Sequence, residues 1–339
     1  MHRKIPFFCL LLLLLPSACL RAHASASLLL EEPFGAFGAL NPTGHAAIYL
    51  DRVCAETPTL LRRCGPGESG AVISRYHRVS GYDWLAIPLL PYLYAVQYAS
   101  DVPHYADAKL EARLRNRYRE AHLLAYVPDQ PGVEMPGGEW TQLIGASYDR
   151  KIYGYELDTT PEQDNRFIQT FNSAHNRAHF NLLFRNCANF SANVIDFYFP
   201  RSVRRNFLVD AGIMTPKQVA YRFVRYGRRH QALHPKTFVI PQVPGTIRRS
   251  RNVNGVIESL IKTKPYVLPL ALLHPYFTGT LVAAYFGDRR FQPDSTARVF
   301  DPALPPAAVL AEQTAPLPAA QDGWLSETTD TQASSGESE

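Results

Sequence analysis

The chain has 339 residues, 46% of them hydrophobic and 19% charged, with a formal net charge of +5. That length suits one sizeable domain with an appendage. Removing Arg3, Lys4 and Arg21 with the first 26 residues would take the charge to +2, so charge does not imply nucleic acid as a partner.

Residues 1–26 read as an export leader. Arg3 and Lys4 precede an apolar run, Ile5 to Leu15, that is too short to span a bilayer. Small-x-small sequences follow at Ala22-His23-Ala24 and Ala24-Ser25-Ala26. Pro16 stands where lipid attachment at Cys19 would want leucine, so lipidation is not expected. Export implies oxidising surroundings, a periplasm or envelope if the source is bacterial. Cys54 and Cys64, across "CAETPTLLRRC", are near enough in sequence to close a small disulfide loop, with Cys187 as the odd thiol. Pairing of Cys187 with either of them stays open at this level.

Residues 27–200 are expected to form the main domain. Gly44–Leu50 and Ala71–Val79 read as strands. Asp107–Tyr126 reads as a helix, with Leu110, Leu114, Tyr118 and Ala121 at helical spacing. "WTQLIGAS" (Trp140–Ser147) and "IYGYEL" (Ile152–Leu157) are further strand candidates. Thr160 and Gln163 form a capping box with Pro161 at the first helical position, and Phe167 and Phe171 mark the buried face of that helix. Strands with interspersed helices and no regular βαβ rhythm point to an α+β fold.

In "FNLLFRNCANFSANVIDFYF", Asn186 is a good N-cap, and Phe190, Val194, Ile195 and Tyr198 recur on one helical face. Cys187 therefore falls in a first helical turn, where unpaired N–H groups and the macrodipole favour a thiolate and can hold an oxyanion. His45, after Gly44 at the start of an apolar strand, is the candidate base. His77 is the first candidate to orient its imidazole, with Ser74 and Tyr76 behind it.

Beyond the main domain, Arg201–Arg251 carries many Arg and Lys residues against the single acid Asp210, which reads first as a solvated helical face and second as a contact for anionic lipid or wall polymer. Pro265–Phe286 is near the length of a transmembrane helix, but three prolines and His274 interrupt it. Residues 201–290 are thus expected to be a basic, partly apolar helical appendage resting on a membrane surface. Residues 291–339, rich in Pro, Ala, Ser, Thr and acids, are expected to be a disordered tail. His175 and His179 have the i, i+4 spacing of metal ligands, but the remaining ligands are missing, so neither metal nor cofactor is expected.

Gly44-His45 before an apolar strand, followed much later by Asn186-Cys187 with Phe190 downstream, resembles the circularly permuted papain-like superfamily. Its members include NlpC-type cell-wall peptidase relatives and lecithin retinol acyltransferase-like thiol enzymes. The resemblance covers about residues 40–200 and implies an antiparallel sheet packed on the Cys-bearing helix. It maps a second strand histidine onto His77. This chain departs from the compact members in a helical insertion near 82–136, and in Ala188-Asn189, where the acyltransferase-like branch favours an acid and a His. The implied function is an exported thiol hydrolase or acyl-transfer enzyme acting on amide or ester bonds, with cell-wall peptide or lipid as substrate. The alternative is a non-catalytic envelope-associated binding module.

Overall fold

A computed structural model describes residues 24–300 except 36–41, 78, 178–179, 182, 206–209, 211, 263–268, 270–271 and 289–290. The leader up to residue 23, His179, part of the Pro265–Phe286 run and the tail from 301 lie outside the described residues.

The frame is a mixed seven-stranded sheet in an α+β protein. In chain order its strands are β1 (Ala24–Glu31), β2 (His45–Leu50), β5 (Ala71–Ser74), β6 (Leu85–Pro88), β7 (Ile152–Thr159), β8 (Lys236–Ile240) and β9 (Arg298–Val299). They lie side by side as β6-β5-β2-β1-β7-β8-β9. Every neighbouring pair is antiparallel except β8 and β9. A small hairpin, β3 (Val53–Thr57) with β4 (Leu60–Arg63), projects after β2.

Side chains of successive strand residues point to opposite faces, and both faces of this sheet are covered. Leu28, Leu30 and Ile48 join one core, with Phe167, Phe190, Val194 and Phe223, while Leu29, Ala47 and Tyr49 join the other, with Tyr92, Trp140 and Tyr148. Double coverage explains why β2 reads as a nearly unbroken apolar run.

The helices are α1 (Leu89–Tyr94), α2 (Ala108–His122), α3 (Ala146–Asp149), α4 (Pro161–Ser173), α5 (Cys187–Tyr198), α6 (Pro216–Arg229), α7 (Val256–Lys262) and α8 (Pro275–Asp288). Local chemistry starts several of them. Asp107 caps α2 by accepting the Leu110 N–H at 2.7 Å. Thr160 and Gln163 exchange the two bonds of a capping box at the start of α4, and Phe167 is fully buried below. Cys54 and Cys64 are joined by a disulfide across the β3–β4 hairpin, with Cα atoms 4.9 Å apart.

Several elements differ from expectation. Trp140–Ser147 is not a strand: a 3-10 helix, Glu139–Leu143, leads to α3 through Gly145 at φ +70°. Arg115 satisfies the Ile144 and Gly145 carbonyls there, which removes the need for a ladder partner. The Ala71–Val79 strand stops at Ser74, so His77 stands in the turn beyond it. The insertion near 82–136 supplies β6, an edge of the main sheet.

The segment 201–290 is not a separate helical appendage. Its β8 pairs with β7, and α6 packs on β1 and β7. Lys217, expected on a solvated face, is fully buried and bonded to Glu258 at 2.7 Å. Arg298–Val299, inside the expected tail, pairs with β8. At the other end β1 begins at Ala24, inside the span assigned to the leader.

Candidate active site

Gly44 and His45 sit where the chain enters β2. Gly44 adopts φ +71°, and a Cβ there would lie 2.2 Å from the Glu31 carbonyl oxygen. Only glycine tolerates both the conformation and the contact. His45 follows as the first β2 residue, paired in register with Glu31 on β1.

Cys187 is the first residue of α5. Asn186 precedes it as N-cap: its side-chain oxygen accepts the Asn189 N–H at 2.9 Å, and its amide donates to the Met214 carbonyl at 3.0 Å. Helix α5 packs on β2. The backbone N–H groups of Ala46, Ala188 and Cys187 favour the thiolate against the desolvation of the site. Cys187, His45 and His77 all line one cleft of about 1040 Å³. Cys187 is the one free cysteine among the described residues.

Sequence position alone favours a thiolate, but burial reverses that expectation. Desolvation pushes the Cys187 thiol up to about 11, outweighing the N–H groups that point at it. Burial, aided by the Arg150 charge, pulls His45 well below the usual imidazole range. Both shifts favour the neutral forms, so the cleft holds a neutral thiol and a neutral imidazole at rest.

The group on the imidazole is Ser74, not His77. His45 Nε2 lies 2.7 Å from Ser74 Oγ. His77 instead packs against Phe180, with ring centroids 5.1 Å apart. The physical reason is strand length: β5 ends at Ser74, which carries His77 into the turn. Tyr76, also beyond the strand end, stacks on the His45 ring at 4.5 Å and 19°.

Behind Tyr76 runs a buried network that no local motif announces. Tyr76 Oη donates to the Gln142 carbonyl at 2.9 Å and lies 3.3 Å from Tyr92 Oη. Tyr92 donates to Glu31, and the other Glu31 oxygen meets Arg150 Nη1 at 2.9 Å. The side chains of Glu31 and Arg150 are 0% and 2% exposed. Phe34 covers the Arg150 guanidinium at 4.4 Å. The one sequence hint was the acid Glu31 directly after Leu28-Leu29-Leu30.

The cleft exposes mostly apolar surface, with Phe34, Phe180, Leu183, Ile213 and Met214 among its members, although Arg75, Glu139 and Arg150 also line it. Leu183 is 46% exposed at its edge. Cys54, Cys64 and Glu68 are grouped closely enough to hold a metal ion, but both sulfurs are spent in the disulfide.

Compared with family models, curated proteins and solved structures, the chain matches none.

Proposed function

We propose that the protein is an exported thiol enzyme, a hydrolase or acyl transferase, with a permuted papain-like core. The carrying observation is that Cys187, at a helix N-terminus, shares a cleft with His45, whose Nε2 is held by Ser74. In this reading the tautomer that donates Nε2–H to Ser74 leaves Nδ1 as the base. Nδ1 takes the Cys187 proton as the sulfur attacks an ester or amide carbonyl, and then returns it to the leaving group. The Cys187 N–H, without an intrahelical acceptor at the first helical position, stabilises the oxyanion. Water or an acceptor amine then resolves the thioester.

A neutral resting pair is consistent with this scheme, because proton transfer accompanies attack and no standing thiolate is needed. The apolar cleft favours a substrate whose acyl part is hydrocarbon over a charged cell-wall peptide. The test is incubation with a medium-chain p-nitrophenyl ester followed by intact mass measurement. An acyl adduct on Cys187 that is absent from Cys187→Ala, with nitrophenol release lost in His45→Ala, is the expected result. Turnover unchanged in Cys187→Ala would end the proposal.

A second reading, a non-catalytic envelope module, is favoured by the half-buried setting of Cys187, where desolvation pushes its thiol up to about 11. That reading predicts ligand binding in the cleft with neither adduct nor turnover.

Docking at an anionic membrane surface through Arg201–Phe286 belongs to the same proposal. Leu272, Leu273 and Tyr276 are 78%, 73% and 94% exposed, as interfacial insertion would use. No helix among the described residues is long and apolar enough to cross a membrane.

A further inference from the structure

The first strand begins inside the sequence that export processing reads. The two small-x-small sequences end at Ala24 and Ala26, and both overlap β1. A cut after Ala26 would remove a core residue, since Ala26 is 2% exposed and pairs with both Leu50 and Leu157. It would also strip Asp51 of the Ser25 N–H that its carboxylate accepts at 2.6 Å. Asp51 is only 4% exposed, and it feels Glu156 and Asp164 as well as the opposing charge of Arg52. Removing a donor from a buried carboxylate is costly. A cut after Ala24 forfeits the Ala24–Thr159 pairing and one buried methyl group, but it keeps Ala26 and converts the Ser25 nitrogen into an ammonium facing that carboxylate.

We propose that the leader is removed between Ala24 and Ser25, so that the mature chain begins at Ser25 with its α-ammonium on the Asp51 carboxylate. The inference rests on the export reading above. The step is a hydrolysis by a leader peptidase. One water cleaves the Ala24–Ser25 peptide bond, its hydroxyl going to the Ala24 carboxyl and its proton to the Ser25 amine. Cleavage precedes folding, because Ala24 and Ser25 are 1% and 3% exposed once β1 is paired. The product gains a charge-assisted bond where the uncut chain has a neutral donor. In the uncut chain burial pushes Asp51 up to about 7, and an adjacent ammonium favours its ionised form.

The experiment expresses the full chain in a bacterium with a leader peptidase and determines the N-terminus of the exported protein by intact mass and sequencing. Ser25 as first residue is expected. A first residue at Ser27 or elsewhere overturns the cleavage assignment while leaving export standing. A chain retaining Met1 overturns both. The Asp51 pairing is read separately, by acylating the α-amine of the processed protein at pH 7 with an amine-selective reagent. The folded protein should react at least about tenfold more slowly than the same chain in urea, as a buried charge-paired amine does. Equal rates would overturn the pairing.

Discussion

His45 Nε2 and Ser74 Oγ are 2.7 Å apart although 29 residues separate them in the chain. The antiparallel pairing of β2 with β5 brings them together. In the proposed mechanism this bond sets the imidazole tautomer. Ser74→Ala should therefore lower kcat roughly tenfold, the worth of about one hydrogen bond, and Ser74→Thr should restore most of it. His77→Ala should leave the steady-state rate near that of the parent. An effect of His77→Ala larger than that of Ser74→Ala would return the orienting role to His77.

Reactivity of Cys187 should follow its raised pKa. Alkylation by iodoacetamide should be slow at neutral pH and climb about tenfold per pH unit toward about 11. A plateau reached below pH 8 would show a standing thiolate and contradict the neutral pair.

His45 also makes stability depend on pH. In the unfolded chain its imidazole takes up a proton near pH 6.5, while the folded group, held well below that value, does not. The unfolded state then binds more protons, so this residue's contribution to stability falls as pH drops below about 6.5. Urea midpoints measured from pH 7 to pH 5 should decline less in His45→Gln than in the parent.

The Glu31–Arg150 pair gives a sharper stability test, since both side chains are almost completely buried. Glu31→Gln strands a buried guanidinium and should cost about 3–5 kcal/mol in urea unfolding. The double variant Glu31→Gln/Arg150→Met should recover part of that loss. A double variant costing the sum of the two single changes would mean the pair is not coupled.

Replacing the disulfide with Cys54→Ser/Cys64→Ser should remove about 2–4 kcal/mol by freeing the hairpin in the unfolded chain. Neither Cys54 nor Cys64 lines the Cys187 cleft, so the Cys187 alkylation rate in the folded variant should be unchanged.

Sequence by itself determined the features whose hydrogen bonds close within a few residues. The capping box of Thr160 and Gln163, the Asp107 helix and the Asn186 cap that starts α5 at Cys187 all have their signals in neighbouring positions. Only the tertiary structure decided which groups face the imidazole and how the thiol titrates. Ser74 reaches His45 through strand pairing, and Tyr92 reaches Glu31 across 61 residues. Arg150 follows a segment read from sequence as a strand that folds instead as two short helices, with the Arg115 guanidinium bonded to the Ile144 and Gly145 carbonyls between them. Burial is a property of the whole packing. It overrode the helix-terminal effect at Cys187 because desolving a charge in a covered cleft outweighs a few N–H groups aimed at it.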